Sequence, residues 1–197
     1  MQTQQRFSAH EYLETQEAVR TKGAHIELYG LLFSMAEDTH LKDILYDQQR
    51  RMIESYNYAI NLLQGRGINM MGHTPDLRIY ENPQVGLHRP HIPAPNPNAT
   101  RLSDGTIAQV ALSLHKAGSA IGMYRASECA DRDIRMYHAT SANMCQEMAW
   151  EMFQYMNYRG FYQSPQLADH TMRTMNAGVH QSQQQHHYET NFGQIHS

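Results

Sequence analysis

The chain has 197 residues, 18% of them charged, and a formal net charge of −3. That length suits one domain with a sizeable core plus appended segments, or two small domains. The near-balanced charge provides no electrostatic footprint for nucleic acid or an anionic membrane. Lysine occurs only at Lys22, Lys42 and Lys116. A mean hydropathy of −0.66 beside 41% hydrophobic residues implies a core wrapped in uncharged polar surface. Such a surface repels its own copies weakly and so favours self-association. The start of the chain, Met1 to Arg6, lacks the apolar stretch of a secretory signal, and no apolar run approaches the ~18 residues of a membrane span. The expectation is a protein made and kept on the cytoplasmic side of its producing cell.

The first element is a helix over about residues 8 to 35. Ser8 and Glu11 fit a capping box, with Phe7 and Tyr12 at the staple positions. Val19, Ile26, Tyr29, Phe33 and Ala36 recur at helical spacing behind them. Gly23 and Gly30 weaken this helix locally and permit close approach of a neighbour. Asp38 or Thr39 caps a second helix, whose stripe runs through Leu41, Ile44, Leu45, Gln48, Met52, Tyr56, Ala59, Leu62 and Leu63 before Gly65-Arg66-Gly67 stops it. The short connection makes residues 1–67 an antiparallel hairpin.

Residues 68–103 hold six of the seven prolines, and Pro90 to Pro97 reads as extended, polyproline-like chain. A loop this long is uncommon inside a compact domain. It is either a linker between independent domains or the long crossover some four-helix bundles use. The crossover is favoured, because a lone hairpin exposes too much apolar surface. A second hairpin follows over 104–165. Its third helix starts near Ser103 or Asp104, with the stripe Ile107, Val110, Ala111, Leu114, Ala117, Gly118, Ile121 and Tyr124. Its fourth is capped by Asp131, with the stripe Ile134, Tyr137, Ser141, Met144, Met148, Met152 and Tyr155, and is stopped by Gly160. Residues 166–197 form a tail; from 181 onward it is rich in Gln and His, a composition that cannot build a core and reads as disordered or induced-fit.

A weak internal repeat links the hairpins. Glu37-Asp38 followed by Lys42-Asp43-Ile44 parallels Glu128 followed by Arg132-Asp133-Ile134, and both second helices end near Arg-Gly. Two such hairpins joined by a crossover give the expected fold class: all-α, a ferritin-like four-helix bundle.

The second hairpin resembles the Coat F family of bacterial spore coat proteins. The carriers are Asp104-Gly105-Thr106-Ile107-Ala108, Lys116, Glu128 and Arg135, and above all the closing run from Met152 to Pro165 with Tyr155-Met156, Gly160, Phe161 and Tyr162. Phe161 stands where the family commonly has Trp. The resemblance implies a ferritin-like structural protein of the spore coat, synthesised in the mother-cell cytoplasm, with itself and other coat proteins as partners. It brings no catalytic, cofactor-binding or metal-ligating residues, and no cofactor. The chain is accordingly expected not to be an enzyme.

The alternative is a ferritin-like di-metal oxidase or manganese-catalase-like enzyme. Such a centre needs Glu-x-x-His on each of two helices and a Glu from each of the others. Glu37-Asp38-Thr39-His40 is the lone match, at a turn rather than in mid-helix; Glu147 and Glu151 lack a companion His. His186 and His187 offer at most weak divalent-ion binding. Met144, Met148, Met152 and Met156 are read as core filling, and His115 as a surface or satisfied histidine. Glu128 and Arg135 flank the second turn and are expected to pair across it. Cys129 and Cys145 are neither a CxxC pair nor a disulfide framework; they are two ordinary helix cysteines or, alternatively, an intermolecular cross-link. The proline loop could also dock a partner domain, making the chain a soluble adaptor.

Overall fold

The computed structural model describes residues 7–65, 84–87 and 94–181. Among these residues are five helices and no strand: α1 Ala9–Met35, α2 Thr39–Leu63, α3 Asp104–Glu128, α4 Arg132–Tyr158 and α5 Asp169–Ala177. The chain divides into two compact units, residues 1–164 and 165–197. The first holds α1 to α4. The second holds α5, which lacks a side-chain cap and buries none of its residues. This short helix is an addition to the expected tail. Most of the Gln/His-rich stretch, and Pro90 and Pro93 of the proline run, lie outside the described residues.

The helix ends follow from local chemistry. At α1 the Ser8 side chain accepts the Glu11 N–H while the Glu11 carboxylate accepts the Ser8 N–H at 2.9 Å, closing the capping box. Asp38 accepts from the N–H groups of His40 and Leu41, and Asp131 does the same for Asp133 and Ile134. The two hairpin turns are thus capped identically, as the internal repeat implies. Gly65 and Gly160 close α2 and α4 with φ of +64° and +74°, a backbone state that costs other residues a Cβ clash. Asn96-Pro97-Asn98-Ala99 is a turn, with the Ala99 N–H on the Asn96 carbonyl and the Asn98 N–H on the Asn96 side chain.

The apolar core draws on all four long helices: Tyr29 and Leu32 from α1, Leu41, Ile44 and Leu45 from α2, Ile107 and Leu112 from α3, Met148 and Met152 from α4. Three sequence expectations are corrected. On α3 the buried face is Ile107, Ala108, Ala111, Leu112, His115, Gly122 and Ala126, whereas Ile121 and Tyr124 face outward. The reason is the close approach of α4: a Cβ on Gly122 would lie 3.1 Å from the Ala142 Cβ, and one on Gly118 3.0 Å from the Cys145 Sγ. The small residues, not the large ones, define that interface. On α1 Phe33 is partly exposed, its ring 5.9 Å from the Lys42 ammonium. The staple partner Phe7 packs instead on the cluster of Ala59, Leu62, Ile134 and Tyr137.

The beginning of each hairpin grips the turn of the other. The Glu11 carboxylate accepts the Asp131 N–H at the α3–α4 turn. The Asp104 carboxylate accepts the N–H groups of Glu37 (2.9 Å) and Asp38 (3.1 Å) at the α1–α2 turn. Burial pushes the Glu11 carboxyl up, but the bonds from Asp131, Ser8 and Ala130 outweigh it and hold the group below the ordinary carboxylate range.

Candidate functional site

The interior of these helices is unusually polar. α1 presents a stripe at three- and four-residue spacing in which Glu11, Thr15 and Ala18 are buried, Lys22 and His25 half-buried, and Tyr29 and Leu32 buried again. Two polar groupings stand inside.

The first joins all four helices. The Tyr29 hydroxyl donates to the Gln48 side-chain carbonyl at 2.8 Å, and the His115 Nε2 lies 2.6 Å from the same hydroxyl and 3.0 Å from the same carbonyl. The Gln48 amide donates onward to the Met148 carbonyl and to the Glu151 carboxylate. Arg51 donates to Glu151 at 2.7 Å and also reaches Asp47. Arg51 and Glu151 are each about 5% exposed, so this is a buried ion pair. The Arg51 Nε has no partner among the described residues. Burial, reinforced by the Arg51 charge and by His25, lowers the His115 pKa to about 3 and keeps the ring neutral. His115 is therefore a satisfied core histidine.

The second surrounds Lys22. Its ammonium donates to the hydroxyls of Ser55, Tyr137 (3.3 Å) and Ser141 (3.2 Å), and the two serines bond each other at 2.9 Å. Nearby, His138 Nε2 meets the Thr15 hydroxyl at 3.2 Å. Since that hydroxyl donates to the Glu11 carbonyl, the ring nitrogen is the donor to it. Burial, with Arg125 and Lys22, brings the His138 pKa to about 4.

Neither grouping has the donor set of a di-metal centre. The buried carboxylate of the inner grouping, Glu151, is matched to a guanidinium and an amide, and the grouping's second carboxylate, Asp47, to the same guanidinium. Glu37 is largely exposed at the first turn, and His40 stands edge-on to the Tyr155 ring. Among the described residues no three His, Cys, Asp or Glu side chains converge as a metal site. His186 and His187 lie outside the described residues.

The residues carrying the family resemblance meet at one end of the first unit. Asp104 grips the first turn. Arg159 pairs with Asp38, the cap of that turn, and its guanidinium lies about 6 Å from the rings of Tyr155 and Phe161. The Phe161 ring covers Gly105, where an added Cβ would stand 3.6 Å from it. Lys116 sits 5.3 Å from the centroid of Tyr162, which meets Phe153 edge-on while Phe153 stacks with Trp150. Asn157 is buried, donating to the carbonyls of Tyr162 and Gln84 and accepting the Gln84 N–H at 2.7 Å. It thereby pins Gln84–Leu87 beside Ser164 in a single parallel bridge. The closing run is thus a device that folds the chain after α4 back onto α3. Arg135 does not join it: Arg135 is exposed, and Glu128 meets His10 at 3.5 Å instead of Arg135.

The two thiols are free. Burial, with the surrounding carboxylates of Glu11, Asp131, Glu14 and Glu128, pushes Cys129 to about 11, and burial raises Cys145. Neither offers the thiolate that disulfide exchange requires at neutral pH.

These features define an all-helical protein whose polar interior fastens helices to one another. Residues 103–166 match the Coat F domain, the same stretch that carries the sequence resemblance. No curated protein matches the chain. Among solved structures, a crystal structure from Bacillus halodurans described as a "putative spore coat protein" is similar to it at 14% identity and a TM-score of 0.63, covering 86% of this chain and 99% of that one. At that identity the likeness speaks to the fold. No helix among the described residues is long and apolar enough to cross a membrane.

Proposed function

We propose that this protein is a non-enzymatic building block of the bacterial spore coat, acting by self-association and by binding other coat proteins. The Coat F match over residues 103–166 carries this reading. The printed description of the Bacillus halodurans neighbour points the same way. The architecture proposed for it is a ferritin-like four-helix bundle of two hairpins, 1–67 and 104–165, with 68–103 as the crossover and 166–197 as an appended tail. Identical turn caps and reciprocal grips by Glu11 and Asp104 support that plan.

The mechanism is physical. A helical block closed by buried polar bonds supplies a fixed shape. Outward apolar side chains on α3 and α4, including Ile121, Tyr124, Met136 and Trp150, supply contact surface. The proline-rich segment and the Gln/His/Tyr tail add adaptable contacts, and exposed tyrosines add sites for covalent cross-linking. Sedimentation of the purified full chain over a wide concentration range tests the self-association. Growth into larger species that Trp150→Ser or Tyr124→Ser weakens is the expected result; a monomer at every concentration would remove it.

A further inference from the structure

A cavity of about 70 Å³ opens inside α1, α3 and α4, with Met52 of α2 in its wall. At ~10–15 Å³ per water position, it exceeds the space of a single water. None of the residues that line it carries a carboxylate. Its ionised groups are Lys22 and Arg125, and Arg125 is already paired with Glu14 at 2.8 Å. Lys22 has no carboxylate within ion-pair distance among the described residues; its partners are three hydroxyls.

Donor accounting sharpens the point. Ser55, Ser141 and Tyr137 each accept from the ammonium, and together they own three O–H protons. One is used between the serines. The Tyr137 proton and one serine proton have no acceptor among the described residues. An uncompensated cation and two idle hydroxyl donors therefore stand beside a space bounded by Ala18, Gly118, Gly122 and Met144. The two histidines next to Lys22, His25 and His138, are held toward the neutral form, by burial first and then by neighbouring cations, Lys22 acting on both. With Arg125 met by Glu14, Lys22 is the cation at this cavity that no carboxylate pairs with among the described residues.

We propose that this cavity is a binding site for a small monoanion, a halide or a carboxylate the size of formate or acetate, its charge met by the Lys22 ammonium and its hydrogen bonds supplied by the Tyr137 hydroxyl and by Ser141, with Ser55 behind it. A single charge matches the one uncompensated ammonium, and the largely apolar wall excludes a strongly hydrated dianion such as sulfate.

Thermal melts of the full chain test this, with chloride, bromide, formate or acetate titrated against sulfate at equal ionic strength. The wild type is expected to gain about 3 °C or more with a monoanion at ten times its Kd, rising with the logarithm of its concentration beyond that, whereas sulfate gives only the shallow, near-linear rise of an excluded salt. Comparing halides with carboxylates identifies the preferred source. Lys22→Met is expected to abolish the response. Superimposable monoanion and sulfate curves in the wild type, or an unchanged response in Lys22→Met, would overturn the proposal. Should that variant fail to fold, crystals of the wild type grown with bromide decide the matter. An anomalous peak in the cavity within hydrogen-bonding distance of the Tyr137 or Ser141 hydroxyl supports the site, and a cavity holding only water refutes it.

Discussion

Single residues here do two kinds of work, and substitution separates them. Removing one partner of a buried ion pair strands the other, at a cost of about 3–5 kcal/mol, whereas replacing both by apolar groups of similar volume is often neutral or stabilising. Arg51→Ala, which leaves Glu151 without a cation, is therefore expected to lose about 3–5 kcal/mol in urea denaturation, Glu151→Ala less because Asp47 still meets Arg51, and Arg51→Met with Glu151→Leu to recover most of the loss. Additive losses in the double variant would show that the pair is not coupled. The buried histidines set the acid response. The folded pKa values of His115 (about 3) and His138 (about 4) lie below the ordinary 6.5, so the unfolded chain takes up protons first as pH falls. Their stabilisation is complete above about pH 6.5 and is lost as pH drops toward 4 and then 3, each contributing a slope of up to ~1.4 kcal/mol per pH unit. The depressed Glu11 and Asp38 carboxyls push in the same direction at lower pH. Melts should be level from about pH 7.5 to about 6.5 and fall steadily from there to about 4.5, less steeply in His138→Asn; a profile flat throughout would contradict the assignment.

At the scale of elements, the α3–α4 contact is a small-residue seam. Gly122→Ala must place its Cβ about 3.1 Å from Ala142, an overpacking of roughly 1–3 kcal/mol that exceeds the ~1 kcal/mol helix-propensity gain. Gly23→Ala meets nothing closer than a Tyr56 ring carbon at 3.9 Å and is expected to stabilise by about 0.5–1 kcal/mol. Equal effects at the two positions, measured by thermal melting, would show that the seam is not tight. The same seam explains what was legible in the sequence. Helix ends were readable because caps are local: Ser8, Asp38, Ser103, Asp131, Gly65 and Gly160 each act within a few residues. The α2 and α4 stripes were readable because they are apolar. The inward faces of α1 and α3 were readable only in part, at Tyr29, Ala36, Ile107 and Ala111. On α1 the rest of the inward stripe is the buried Glu11 and Thr15 and the half-buried Lys22 and His25, residue types that read as solvent-facing, and their 3–4 spacing was the available signal. On α3 glycine and alanine mark the interface while Ile121 and Tyr124 point out, a choice set by how near α4 comes, which no window of α3 contains. The polar interior went unread for the same reason, since Gln48, Arg51, Glu151, His115 and Tyr29 come together only across helices.

For the whole molecule, the resemblance was readable at 104–165 because its closing motif is a local fold-back. Asn157, Gly160, Phe161 and Tyr162 act within six residues, and Gly105 and Lys116 receive them on α3. The helix α5 was not read, because its short polar sequence buries nothing that a periodic pattern could reveal. Asn157→Ala is expected to free Gln84–Leu87 and the Tyr162 carbonyl together. Raised amide exchange at Gly86, whose N–H bonds the Ser164 carbonyl at 2.8 Å, would report that release, and unchanged exchange would argue against the pin. A helical block fastened in this manner is suited to being stacked, and the proposed coat role makes a claim about place. Immunogold electron microscopy of sectioned spores from the producing organism tests that claim most directly: label concentrated in the coat layers is the predicted result, and label confined to the spore core or absent from the spore would contradict it.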